Sequence, residues 1–109
     1  MKIQFDSIEP TVLQNFYNGD GALVANLFFD GKNKILLGKL AVGSSIGYHI
    51  HETSSEIIFI LSGEGIVNDN GEEIPLRPGD CHYCPQGQGH SLQNQGKADL
   101  IFYAVVPMS

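Results

Sequence analysis

Turn chemistry constrains this chain more than any other feature. Its 13 glycines and 5 prolines interrupt it about every 8 to 12 residues, the rhythm of short strands joined by tight turns. Asn18-Gly19-Asp20-Gly21 leads into the apolar run Ala22–Phe29. Asp30-Gly31-Lys32-Asn33 separates that run from Ile35–Val42, and Asp69-Asn70-Gly71 separates Ile66-Val67 from Glu73–Leu76. Asn-Gly and Asp-Gly supply the positive φ values that short hairpin connections require. Glu56–Leu61, Cys81–Cys84, His90–Gln93 and Leu100–Val106 are rich in β-formers. Helical periodicity is weak throughout. Only Ile8–Tyr17 can hold a helical turn or two, and it reads almost as easily as a strand. The expectation is an all-β, antiparallel domain of roughly eight to ten short strands, a sandwich or a barrel.

The 109 residues suit one domain, residues 1–109, with no linker or repeat. No apolar run reaches the roughly 18 residues of a membrane span. Met1–Asp6 lacks the apolar stretch of a signal peptide, so a cytoplasmic location is expected. Lys and Arg total 6 against 12 Asp and Glu, a net charge of −6. That balance, without a basic cluster, argues against nucleic acid as a partner.

Four histidines, His49, His51, His82 and His90, fall in the middle of the chain. His49 and His51 are two apart in a predicted strand. Side chains at i and i+2 share a face, so both imidazoles can address one object. Glu56 opens the next strand after the turn-like Glu52–Ser55, and a hairpin return would bring its carboxylate beside them. His90 follows the bend Pro85–Gly89 and is the candidate third imidazole. Three nitrogens and a carboxylate oxygen suit a divalent transition metal. His82 is read as a structural histidine.

Gly43, His49, His51, Glu56 and Gly63 fill every fixed position of the first cupin motif. Gly79, Pro85, Gly87, His90 and Asn94 fill every fixed position of the second. On these residues, 43–63 and 79–94, the chain resembles a small single-domain member of the cupin superfamily. The resemblance implies a single jelly-roll β-barrel. It places one divalent ion (Zn, Mn, Fe, Ni or Co) on His49, His51, Glu56 and His90. It leaves the chemistry open: the family includes dioxygenases, decarboxylases, isomerases and non-catalytic binding or sensor proteins. Asn94 is expected to tie down a turn through its side chain.

Glu56 argues against the thiol dioxygenases, which use three histidines. Arg77 lies in the Pro75–Gly79 turn, and Lys39 is read as the only cation well inside a core strand, so a phosphate would lack its usual clamps. A divalent ion beside one ionised Glu leaves the centre near +1. With Ile58 and Ile60 on the face of Glu56, and Leu92 on that of His90, the pocket suits a small organic acid or enol-type oxygen ligand. The candidate general acids or bases are Tyr48, Tyr83, His82, Glu52 and a metal-bound water. In a strand, Cys81 and Cys84 face opposite sides about 10 Å apart, too far for a disulfide. Either Cys81 with Tyr83, or His82 with Cys84, faces the pocket. The apolar residues Ile3, Phe5, Ile8, Val12 and Leu13, together with free sheet edges, lead to the expectation of a homodimer.

Overall fold

Alternation of apolar and polar residues builds ten strands, which divide between two sheets. The strands are β1 (Thr11–Gln14), β2 (Ala22–Phe29), β3 (Asn33–Leu40), β4 (Ser45–Ile50) and β5 (Glu56–Ser62). They continue as β6 (Gly65–Asp69), β7 (Glu72–Leu76), β8 (Cys81–Cys84), β9 (Gly89–Gln93) and β10 (Leu100–Pro107). These come from a computed structural model that describes residues 1–108. The only helical elements among them are two 3-10 turns, Phe5–Ser7 and Phe16–Asn18. No helix is long and apolar enough to cross a membrane.

One sheet has six strands in the order β1-β2-β3-β10-β5-β8, the other four in the order β4-β9-β6-β7. Every pairing is antiparallel. The sheets face one another over a core that includes Leu40, Ile58, Ile60, Val67, Leu100 and Phe102, each 0–2% exposed. This is the jelly-roll that the cupin resemblance implies, where the strand rhythm alone left a sandwich or a barrel open. Gly38 lies opposite Phe102 across the β3–β10 ladder, and a Cβ there would collide with the Phe102 ring. The core therefore needs that glycine for close packing.

The Asn70-Gly71 turn between β6 and β7 has positive φ at both residues (53° and 95°), as a two-residue hairpin demands. Residues 15–21, between β1 and β2, are less ordinary. Asn15, Tyr17 and Asn18 all adopt positive φ, a conformation that costs a non-glycine residue of order 1–3 kcal/mol and persists where the surroundings impose it. Here the surroundings are β4: a Cβ at Gly47 would strike the Tyr17 carbonyl, and one at Gly19 the Ser45 carbonyl. Ile8–Tyr17 is thus strand β1 plus the start of a 3-10 turn.

A histidine and carboxylate cluster between the sheets

The site draws on both sheets. His49 on β4 and His90 on β9 are directly paired across the four-stranded sheet, so their rings leave the same face. His51 lies just past the end of β4. Its backbone is held by the bend before β9, with His51 N–H donating to Gln88 O (3.0 Å) and Gly87 N–H donating to His51 O (2.6 Å). Gly87 takes a φ of 89° in that bend, which only glycine adopts freely. Glu56 begins β5 in the opposite sheet. The expected hairpin return between His51 and Glu56 is therefore corrected: β5 pairs with β10 and β8, not with β4. The linker crosses between sheets, with Ser54 bridging to Met108.

The four side chains converge nonetheless. One ligand atom from each of His49, His51, Glu56 and His90 lies within 4.8 Å of all the others, and the side chains are only 3–11% exposed. His51 Nε2 stands 3.1 Å from His49 Nε2, 3.0 Å from His90 Nε2 and 2.9 Å from Glu56 Oε1. His90 Nε2 is also 2.9 Å from that oxygen, while His49 Nε2 is 3.9 Å away. Nitrogen and oxygen ligands bind a divalent ion such as zinc at about 2.0–2.2 Å, so donors this close together can share one ion.

The remaining ring nitrogens test whether these residues fit a metal. His49 Nδ1 is 2.8 Å from Gly47 O, an acceptor, so Nδ1 carries the proton and Nε2 presents its lone pair to the cluster. His51 Nδ1 meets Ser54 Oγ at 2.8 Å. His90 Nδ1 meets His82 Nε2 at 3.0 Å. Each imidazole is thus oriented by a partner behind it, the arrangement that fixes tautomer and ring position in metal sites. Burial raises the Glu56 carboxyl, but hydrogen bonding to His49, His51 and His90 outweighs it and holds the group well below the usual carboxylate range. The donor set fits a divalent cation.

The structure also settles which residues of β8 turn inward. His82 and Cys84 are buried, and Cys81 and Tyr83 are exposed. His82 is not part of the ligand group, yet it backs His90. Burial and the neighbouring His90 lower its pKa below the ordinary imidazole value, so it stays neutral and can accept the His90 Nδ1 proton. Burial, Glu56 and Asp69 push the Cys84 thiol up to about 11, which leaves it an unreactive thiol. His82→Leu is expected to lower metal affinity about 10–100-fold, with a smaller loss for His82→Gln, which keeps an acceptor. Competition titration against a chelating dye measures both.

The cluster forms one side of a cavity of about 590 Å³. Ile58 and Leu92 line it as expected, whereas Ile60 packs in the core without reaching it. Tyr48 and Tyr83 are 48% and 56% exposed and do not border it; Glu52 does. Two contributors were not anticipated. Tyr17 lies stacked on His49, with ring centroids 4.0 Å apart and planes 11° from parallel. Lys34 lines the cavity, whereas Lys39 is exposed and 3.9 Å from Asp99. This reverses the sequence reading of Lys39 as the core cation. Asn94 meets its expectation: its amide donates to Leu40 O (2.8 Å) and Ala98 O (2.9 Å), and its oxygen accepts from Gly96 N–H (3.0 Å).

Residues 36–106 match the Cupin domain family. The oxalate-binding protein of Thermotoga maritima is 36% identical over 97% of this chain and 93% of its own. The crystal structure of a predicted oxalate decarboxylase from Thermotoga maritima superposes with a TM-score of 0.93 at 34% identity, covering all of both chains. The Cnp3 cupin domain of Schizosaccharomyces pombe, 15% identical, covers all of this chain and 74% of its own with a TM-score of 0.82, a likeness of fold alone.

Proposed function

We propose that this chain, which belongs to the cupin family, binds a small organic acid of the oxalate class through a divalent ion held by His49, His51, Glu56 and His90. The observation that carries this reading is the set of three imidazoles whose second nitrogens are all engaged, by Gly47 O, Ser54 Oγ and His82 Nε2. When bound, the ion supplies Lewis-acid polarisation of a ligand oxygen. A doubly charged ion with one carboxylate ligand leaves the centre near +1, which attracts an anion. The apolar walls, Leu36, Ile58, Leu92 and Phe102 among them, keep water away and strengthen that attraction. The similarity to an oxalate-binding protein supports the ligand class.

Calorimetry with oxalate on protein loaded with manganese or zinc tests the proposal. Binding is expected on loaded protein and absent from protein stripped of metal. Saturation a hundredfold above Kd should stabilise the fold by about 2.7 kcal/mol. Equal oxalate binding with and without metal rejects the proposal. Turnover is a second reading, favoured by Glu52 among the residues lining the cavity, since a carboxyl can hold or deliver a proton to a ligand. Release of formate and carbon dioxide from oxalate distinguishes it from binding alone.

A homodimer is the expected state in solution. The outer face of the six-stranded sheet carries Phe59 opposite Tyr103, and Tyr83 opposite Ile57. Phe59, Leu61, Tyr83 and Tyr103 are 38–56% exposed, and apolar groups in such a patch suit a self-complementary contact. Light scattering should give twice the chain mass of 11.9 kDa; a single-chain mass at micromolar concentration refutes the dimer.

A further inference from the structure

The cavity is much larger than a two-carbon acid needs. At about 590 Å³ it lies within the range of about 300–1,000 Å³ that houses substantial ligands. It also holds a cationic side chain outside the histidine and carboxylate cluster. Lys34 lies on the inward face of β3, with the parity of the buried Leu36, Gly38 and Leu40. It is the only cationic side chain lining the cavity among the described residues. Across the six-stranded sheet Lys34 is paired with Val106. On the other side of β10, Val105 is paired with Ile57, which puts Glu56, one residue before Ile57, in the row of Val106 and Lys34. Lys34 and Glu56 are thus two strands apart on one face, about 10 Å between Cα atoms at roughly 4.8 Å per strand. Lys34 Nζ lies 6.0 Å from the centre of the Phe29 ring, at the outer limit of a cation–π contact. No carboxylate of the described residues lies within ion-pair distance of it.

A cation without a counter-charge, facing a cavity that also holds the histidine and carboxylate cluster, marks a place for a second negative group on the ligand. We propose that Lys34 takes the far carboxylate of a four- or five-carbon hydroxy or oxo dicarboxylate whose other end occupies the metal site. The proposal rests on the metal-dependent acid binding proposed above and narrows its ligand class. Between the two charged ends, Leu36, Val106 and Phe102 border the cavity and suit the methylene groups of such a ligand.

Calorimetric affinities for two matched pairs test it, on protein loaded with manganese. Malate is compared with α-hydroxybutyrate, and α-hydroxyglutarate with α-hydroxyvalerate. Within each pair the head is the same and a carboxylate replaces a methyl. The dianion of at least one pair is expected to bind about tenfold more tightly, the effect of one charge-assisted contact. Lys34→Met should erase that preference, leave the monoanion's affinity and the metal content unchanged, and Lys34→Arg should restore it. Metal-dependent binding of the acids without a dianion preference, or with one that survives Lys34→Met, overturns the role of Lys34 and leaves the metal-site reading intact. Failure of oxalate and all four hydroxy acids to bind the loaded protein overturns both.

Discussion

His51→Ala is expected to strip the protein of metal while leaving the barrel folded. His51 is the hub of the cluster: its Nε2 lies within 3.1 Å of an atom from each of the other three residues. Replacing it removes one donor and opens the space between the others. The loss should far exceed the roughly 10–100-fold expected of a residue that supports a ligand from behind. The fold has little reason to follow. The backbone bonds of His51 to Gln88 and Gly87 do not involve the side chain, and Glu56 keeps its 2.9 Å contact with His90. The cost to the metal-free chain is that of the side-chain bonds to Glu56 and Ser54, one charged and one neutral, together about 2–4.5 kcal/mol. Elemental analysis of protein purified without chelator, beside a circular dichroism melt, checks both halves. An unchanged ion-to-chain ratio in the variant dismisses the assigned ligands.

Period-2 alternation made part of the site legible before the fold was known. It put His49 and His51 on one face, and Glu56 with Ile58 and Ile60 on another, and the burial of these residues agrees. Alternation says nothing, however, about which sheet a strand joins. The crossing of Glu52–Ser55 depends on Ser54 meeting Met108, a pairing 54 residues apart along the chain. Alternation also fails where both faces are apolar. Ile35, Leu36 and Leu37 run together in β3, so the parity that sends Lys34 inward and Lys39 outward is hidden. On β8 the four residues Cys81–Cys84 fit either orientation. What decides is the ladder to β5, which aligns His82 with the inward Ile58 and Cys84 with Glu56. Tyr17 gave only an indirect signal: Asn15 and Asn18 beside it are residue types that tolerate positive φ, and Gly47 is the small neighbour that lets the loop approach β4.

Acid should release the metal over a window set by imidazoles and not by the carboxylate. Glu56 is held well below the usual carboxylate range by its histidine partners. A carboxyl with a depressed folded pKa contributes stability above its unfolded value, near 4.3, and that contribution is lost only as pH falls through the folded value. Between pH 7.5 and 5, Glu56 therefore stays ionised and does not compete with the ion. The histidines behave oppositely. Coordination needs neutral rings, and an ordinary imidazole takes up a proton near pH 6.5. Three rings must give up the ion to bind protons, so occupancy should fall steeply, with more than one proton gained per metal lost. His82 adds to this trend in the same direction. Its pKa is lowered by burial and by His90, so its contribution to stability is present above the ordinary imidazole value and lost as pH falls through the lower folded one. Dialysis of loaded protein at stepped pH, followed by elemental analysis, reads occupancy directly. Loss with a midpoint near neutral to mildly acid pH, shifted downward by added free metal, is the expected result. Release only at or below pH 4.3, the range of carboxylate titration, contradicts a centre held by His49, His51 and His90.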